Sequence, residues 1–285
     1  MRDRATANDV PFTPLDKLFE PTVPQGPELP VVDTLPVEAL RPFSGHPFHL
    51  YMDEKLRELT DSVREHGVLM PVLVRPLDGG YEIISGHNRV EAAKLAGLDK
   101  VPVTVRELDD DTATILMVDS NLRQRETLLP SEKAWAYRMK LEAMRHQGVR
   151  TSAQVEPKLR RSNELLASQS PDSRATIQRY IRLTELIPPF LDMVDNGRLA
   201  FNPAVELSYL SLENQTILFS IMERDELSLS LAQAQNLHKL SSLGKLDESA
   251  IEAILLTEPV LKKKVTLKVE RIAPYFPRGT NPEEM

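Results

Sequence analysis

The stretch "YEIISGHNRVEAAKLAG", residues 81–97, indicates how the first part of the chain folds. An apolar run typical of a strand leads into residues 85–89, Ser-Gly-His-Asn-Arg, and an alanine-rich helix begins at once. Free backbone N–H groups and a partial positive charge make a helix N-terminus favourable for anions. Gly86 would let the backbone approach a phosphate, and Arg89 would form a forked pair with its oxygens. An ordinary strand-to-helix turn with Arg89 in a surface ion pair remains the alternative.

The elements around this turn predict a small α/β unit. A helix is expected within "MDEKLRELTDSVREHGV" (52–68), ending at Gly67. The run "PVLVRPLDGGYEIIS" (71–85) predicts a β-hairpin through Asp78-Gly79-Gly80. A strand in "VPVTVREL" (101–108) and a helix in "DDTATILMVDSNL" (110–122) follow. We therefore expect a first domain over residues 31–126, after a proline-rich leader over residues 1–30 that is expected to be disordered.

A second polar stretch, "VDSNLRQRE" (118–126), follows an apolar helix and carries Asn121, Arg123 and Arg125. If it folds against the turn at residues 85–89, the two stretches together would supply amides and cations for a polyphosphate. Alone, it would be a solvated helix end. The candidate nucleotide-binding residues are Ser85, Gly86, His87, Asn88, Arg89, Asn121, Arg123 and Arg125.

A helix-turn-helix is predicted over residues 163–186, within a helical domain expected over residues 127–243. In "SNELLASQSPDSRATIQRYIRLTEL" (162–186) a short helix is broken by Ser-Pro-Asp-Ser, and a second helix starts at Arg174. Asp172 or Ser173 would cap this helix, and its Ile177 face would pack inward together with Tyr180, Ile181 and Thr184. The candidate DNA-binding residues on its start and opposite face are Ser173, Arg174, Ala175, Gln178, Arg179 and Arg182.

Local charge favours DNA over a plain helical hairpin, which the helix pattern alone would also fit. From Arg145 to Arg182 the chain carries eight Lys and Arg against three acids, although its net charge is −7. The overall charge alone would argue against a nucleic-acid binder. Arginine suits forked contacts to guanine and phosphate, and Gln178 suits adenine.

Residues 33 to about 240 resemble the ParB/RepB partition proteins. "SGHNRVEAA" (85–93) stands where that family has a Gly-Glu-Arg-Arg box, and "SNLRQRETLLPSEKA" (120–134) stands where it has Glu-Asn-Leu-Gln-Arg and Pro-x-Glu-x-Ala. Gly86, Arg89 and Asn121 match directly, whereas His87 and Asn88 replace Glu and Arg. An extra residue before Pro130 leaves either Arg123 or Arg125 as the family arginine. The segment "RPFSGHPFHLYMD" (41–53) replaces Asn-Pro-x-Gln-Pro-Arg.

This resemblance implies an α+β chain, with a small sulfiredoxin-like α/β N-terminal domain followed by an all-α helix-turn-helix domain. It implies a sequence-specific DNA-binding partition protein acting in plasmid or chromosome segregation, with CTP and Mg²⁺ at the first domain as a switch. Its implied partners are double-stranded DNA, a second copy of the chain and a ParA-type ATPase. Residues 244–285 would be a shortened dimerisation region, and the implied location is the cytoplasm, on nucleoid or plasmid.

Composition excludes several classes of function and leaves two alternatives. The chain has 285 residues and no cysteine, so disulfides, thiolate metal sites and sulfiredoxin chemistry are excluded. No run has the length of a membrane helix, and neither a catalytic constellation nor a metal site stands out. Enzyme activity would be at most slow CTP hydrolysis. The alternatives are a transcriptional regulator of a plasmid or mobile element, and a weak nucleotide hydrolase or nuclease.

Overall fold

The structure, a computed structural model, describes residues 32–125, 127–151, 164–168, 170 and 172–256. These residues form two compact units. The first comprises residues 32–44 and 50–108, and the second comprises residues 45–49 and those from 109 onward. The predicted leader, and the part of the expected dimerisation region after residue 256, lie outside the described residues.

The first unit is built on a mixed five-stranded sheet. Its strands are β1 (Val32–Pro36), β2 (Leu40–Arg41), β3 (Val72–Leu77), β4 (Gly80–Ser85) and β5 (Lys100–Val105), in the order β1-β5-β3-β4-β2. Strand β1 pairs antiparallel with β5, β5 pairs parallel with β3, β3 and β4 form the antiparallel hairpin, and β2 pairs parallel with β4. Two helices, α1 (Asp53–His66) and α2 (His87–Leu95), and a 3-10 turn (Val37–Ala39) accompany them.

Local sequence signals account for the ends of these elements. Helix α1 ends at Gly67, whose φ of 72° is the left-handed conformation that glycine adopts most easily. The hairpin turns at Gly79 with a φ of 77°. Val72 and Val74 of β3 and Val101 and Val103 of β5 are fully buried, as are Ala92 and Ala93 of α2. Packing of α2 against the sheet therefore fixes its first turn at the end of β4.

The second unit consists of helices. They are α3 (Asp110–Gln124), α4 (Pro130–Thr151), α5 (Arg174–Leu183), α6 (Pro188–Asp195), α7 (Phe201–Leu207), α8 (Leu212–Arg224), α9 (Leu231–Ser242) and α10 (Glu248–Leu256), and residues 164–168 are also helical. Helix α4 continues past Gly148 to Thr151. A glycine inside a helix costs only about 1 kcal/mol relative to alanine, so it did not stop this one.

The main core of the second unit lies beneath α5 to α10. Leu183, Phe190, Leu199, Leu207 and Leu218 are among its most buried members. The expected α/β first part followed by an all-helical part is therefore confirmed. No helix among the described residues is both long and apolar enough to cross a membrane.

Candidate functional site

The turn between β4 and α2 is shaped around the side chain of Arg89. Gly86, the residue before the helix, has a φ of 113°, which side chains other than glycine rarely allow. A Cβ on Gly86 would lie 3.0 Å from Nη2 and 3.1 Å from Cζ of Arg89. Glycine is therefore required here both for its backbone conformation and for the space that the guanidinium occupies.

Arg89 is oriented by two backbone carbonyls. Its Nη1 donates to the oxygens of Met70, at 2.5 Å, and Pro71, at 2.7 Å. Burial lowers the pKa of Arg89 from its ordinary value. Among the described residues, neither Nε nor Nη2 has a hydrogen-bond acceptor and Arg89 has no ion pair. The Nε–Nη2 edge is thus available for the forked contact that phosphate oxygens accept.

His87 and Asn88, where the sequence departs from the family box, hold the segment between β2 and α1. Nε2 of His87 accepts a hydrogen bond from the backbone N–H of Phe43 at 3.2 Å. Oδ1 of Asn88 accepts one from the backbone N–H of Tyr51 at 2.8 Å. Each side chain therefore accepts a hydrogen bond from the backbone of a segment about 40 residues earlier in the same protein. No spacing pattern in the sequence indicates these two contacts.

The second polar stretch belongs to the helical unit. The amide nitrogen of Asn121 donates to the carbonyl oxygen of Met117 at 2.9 Å, one turn earlier in α3. Arg123 is exposed at the end of α3. Ser85 to Arg89 lie in the first unit, whereas Asn121, Arg123 and Arg125 lie in the second.

Arg125 is held inside the second unit rather than presented to solvent. Its side chain is 9% exposed, with Nη1 3.6 Å from Oε1 of Glu132. Its Cζ lies 5.4 Å from the ring centroid of Phe48, a cation–π distance. Of the two candidates for the family arginine, Arg123 is therefore the exposed one.

Glu132 is a structural residue that the sequence argument missed. It accepts hydrogen bonds from the backbone N–H groups of His49, at 2.7 Å, and Leu129, at 2.9 Å. The bond to Leu129 is the return half of a capping box, in which a glutamate three residues into a helix reaches back to the residue before it. Glutamate two residues after Pro130 was the signal that would have identified it.

The turn before α5 has a defined cap. The hydroxyl of Ser173 accepts from the backbone N–H of Thr176 at 3.2 Å, so Ser173 and not Asp172 caps the helix. Asp172 instead accepts from the hydroxyl of Tyr137 at 2.7 Å. Ile177, at 1% exposed, packs inward as predicted.

The six predicted DNA-binding residues differ in exposure. Ser173, Arg174, Ala175 and Arg179 are exposed, while Gln178 and Arg182 are half-buried. Nη1 of Arg174 lies 3.7 Å from the carboxylate of Glu164 in the preceding helical stretch. Nε of Arg182 donates to the hydroxyl of Ser208 at 3.2 Å, so this guanidinium is engaged within the unit.

Within the described ranges, no group of three or more His, Cys, Asp or Glu side chains is arranged to hold a metal ion. The two candidate regions are therefore an anion-binding turn at the start of α2 and a basic face on α5.

The chain is similar to a family model and to curated proteins. Residues 25–122 match the family model described as the ParB N-terminal domain. The chain is 35% identical over 205 residues to the chromosome-partitioning protein Spo0J of Thermus thermophilus, covering 72% of this chain and 69% of that protein. It is 31% identical over 251 residues to the stage 0 sporulation protein J of Bacillus subtilis, covering 88% of this chain and 81% of that protein.

A solved structure is also similar to the chain. It is the C-terminally truncated ParB of Caulobacter crescentus complexed to the centromeric parS site, with 26% identity, 73% of this chain and 98% of that chain covered, and a TM-score of 0.44. The two curated relatives match at more than 30% identity over more than two thirds of their own length. This chain belongs to the ParB/Spo0J family of chromosome-partitioning proteins.

Proposed function

We propose that this protein binds double-stranded DNA at specific sites through α5 and acts in DNA partition. The observation that carries the proposal is the exposed basic face of α5, which lies opposite the buried Ile177. Ser173 caps the N-terminus of this helix. A helix presented in this way enters the major groove with its N-terminal side chains toward base edges. The partitioning relatives support a role in segregation over a purely structural helical pair.

The residues of this face would have distinct tasks. Arg179 would make the forked contact to guanine, and Gln178 the paired contact to adenine. Arg174, at the first position of the helix, would contact phosphate, which positions the helix without reading sequence. Ser173 and Ala175, small and exposed beside it, would let the DNA approach closely.

The DNA proposal is tested in two steps. The wild-type protein first selects duplexes from a random pool, and the preferred duplex and a scrambled one are then titrated. Arg179→Ala should reduce the preference for the selected duplex by roughly tenfold or more, as loss of a forked base contact does. Arg174→Ala should weaken binding to both duplexes and reduce the salt dependence by about one phosphate.

Arg224→Ala is the matched control, because Arg224 is exposed on α8 and pairs with Asp225 and Glu252. We expect it to bind like the wild type. Absence of any preferred duplex, or an equal loss in all three variants, would contradict the proposal.

We further infer that the turn at Gly86 holds the triphosphate of CTP together with Mg²⁺. The backbone N–H groups of residues 87–89 and the Nε–Nη2 edge of Arg89 suit phosphate oxygens. No acidic residue stands in the first turn of α2 to repel them. If CTP binds one of two conformations of the protein more tightly, its binding would shift the protein toward that conformation.

Calorimetric titration of CTP, with ATP as control and Mg²⁺ present, tests this inference. Arg89→Ala should lose CTP binding, whereas Arg64→Ala, an exposed arginine paired with Asp61 on α1, should retain it. Arg89→Lys separates binding from folding, because it keeps the charge but not the fork. Binding of neither nucleotide by the wild type would overturn the inference while leaving the DNA proposal intact.

The same proposal includes a homodimer on a palindromic site and a partner ATPase of the ParA type. Mapping of bound sites on the host DNA distinguishes partition from regulation. Sites clustered near a replication origin would support segregation, and sites confined to promoters would favour the transcriptional alternative. A duplex with a single half-site should bind more weakly than the palindrome if the protein acts as a dimer.

A further inference from the structure

Two arginines one turn apart on α5 are held by residues that lie outside the helix-turn-helix. Arg179 donates through Nη2 to the side-chain oxygen of Asn202, in the first turn of α7. Arg182 donates through Nη2 to the backbone oxygen of Ser208 and through Nε to its hydroxyl, at the other end of α7. Helix α7 thus orients both side chains.

The arrangement at Arg179 leaves the side chain usable. Both Arg179 and Asn202 are exposed, and Cζ of Arg179 lies 5.2 Å from the ring centroid of Phe201. The amide oxygen of Asn202 accepts one hydrogen bond from Nη2 of Arg179. The ring of Phe201 restricts the orientation of the guanidinium plane. A guanidinium has five N–H donors, so the remaining ones stay available to a ligand.

The side chain of Arg182 is engaged by contacts within the second unit. Its Cζ lies 4.1 Å from the ring centroid of Tyr209, and that ring is stacked on His238 of α9 at 4.4 Å with an interplanar angle of 1°. Nδ1 of His238 lies 2.6 Å from Oε2 of Glu206. Because Ser208 is buried, the Nε and Nη2 donors of Arg182 are directed into the second unit.

We propose that Asn202 is a specificity-determining residue for DNA binding, acting as a positioning residue through Arg179, and that Arg182 anchors α5 instead of contacting DNA. This inference rests on the proposed DNA-binding function and differs from the sequence-based expectation for Arg182. A forked contact to guanine needs one fixed orientation of the guanidinium plane. Fixing that orientation before binding reduces the loss of side-chain entropy on binding.

Without Asn202 the charge of Arg179 remains, so attraction to phosphates is unchanged. Discrimination at the base pair that Arg179 reads should then fall while binding to unrelated DNA stays the same. The same logic predicts that removal of the Arg182 charge leaves the count of phosphate contacts unchanged.

The test titrates the selected duplex, its single-base-pair variants and a scrambled duplex into wild type, Asn202→Ala, Arg179→Ala and their double variant. We expect Asn202→Ala to lower discrimination by roughly threefold to tenfold at one base pair, the one also affected by Arg179→Ala. In the Arg179→Ala background, Asn202→Ala should change nothing more, since the two act as a coupled pair. Asn236→Ala, an exposed asparagine on α9, is the control and should match the wild type.

Arg182→Gln provides the second arm. Its slope of log affinity against log salt should equal that of the wild type, whereas a lost phosphate contact would reduce the slope by about one. Wild-type discrimination in Asn202→Ala, or an equal effect with and without Arg179, would overturn the role of Asn202. Failure of the DNA-binding proposal itself would appear earlier, as absence of any preferred duplex for the wild type.

Discussion

The hydroxyl of Tyr137 donates a hydrogen bond to Oδ2 of Asp172 at 2.7 Å, which joins the middle of α4 to the turn before α5. Tyr137 is fully buried, and Nζ of Lys133 approaches the same carboxylate at 3.3 Å. Burial, then the bond to Asp172, raises the pKa of the Tyr137 hydroxyl. This hydrogen bond therefore helps to hold the turn before α5 against α4.

Tyr137→Phe should lower the free energy of unfolding by about 1–2 kcal/mol, because it leaves Asp172 short of a hydrogen-bond donor. Urea denaturation followed by circular dichroism measures this loss. Tyr209→Phe is the control, since the exposed Tyr209 contributes its ring and should unfold like the wild type. An equal stability of the two variants would show that the bond to Asp172 contributes nothing.

Lys140 is fully buried, with its ammonium 2.5 Å from Oδ1 of Asp119. Asp119→Ala should cost about 3–5 kcal/mol of stability, because the ammonium would lose its paired charge in a buried position. The double change Asp119→Leu and Lys140→Met should cost much less, since no buried charge is left. A denaturation series of the three proteins checks this order, and a double variant as unstable as Asp119→Ala would contradict it.

Gly86→Ala should destabilise the protein by about 1–3 kcal/mol through its positive φ, with a further loss because the new Cβ would meet the guanidinium of Arg89. Gly97→Ala isolates the backbone contribution, because Gly97 has a φ of 79° and nothing within 4 Å of the Cβ position. Thermal unfolding should rank wild type above Gly97→Ala and Gly97→Ala above Gly86→Ala. The reverse order of the two variants would show that Arg89 moves aside at no cost.

His46 should make stability fall as the pH falls. Burial is the main cause that lowers its pKa in the folded protein below the ordinary value of 6.5. As the pH drops through 6.5, the unfolded chain takes up a proton that the folded protein does not, so unfolding is favoured until the lowered pKa is reached.

Urea midpoints between about pH 7.5 and 5 measure this effect. His46→Asn should flatten the profile, because it removes the group whose pKa burial lowers. Equal slopes for wild type and His46→Asn would contradict the assignment.

Elements with local signals were predictable from the sequence. Glycine at a helix end identified the end of α1, and Asp78-Gly79-Gly80 identified the hairpin. Strands β1 and β2 were not predicted individually, because their pairing with β5 and β4 joins residues that are distant in the sequence. Gly148 did not end α4, because a single glycine weakens a helix without stopping it.

For the site, the sequence predicted residue types and not their partners. The assignment of the family arginine stayed open because spacing cannot show that Arg125 is covered by Phe48. Arg182 lies on the same face of α5 as Arg179, yet its partner Ser208 lies 26 residues further on. The nucleotide-binding and DNA-binding assignments stay predictions. Whether a side chain is exposed to a ligand or held by the fold depends on contacts between residues that are distant in the sequence.

Residues 45–49 belong to the second unit, although the residues on both sides of them belong to the first. A fragment that begins at Asp109 would therefore lack the ring of Phe48 over Arg125 and the amide of His49 on Glu132. The same holds in evolution: a single recombination point at residue 108 would join these five residues from one parent to Arg125 and Glu132 from another. Exchange of the second unit between relatives should therefore succeed only when residues 45–49 are transferred together with the helices that they contact.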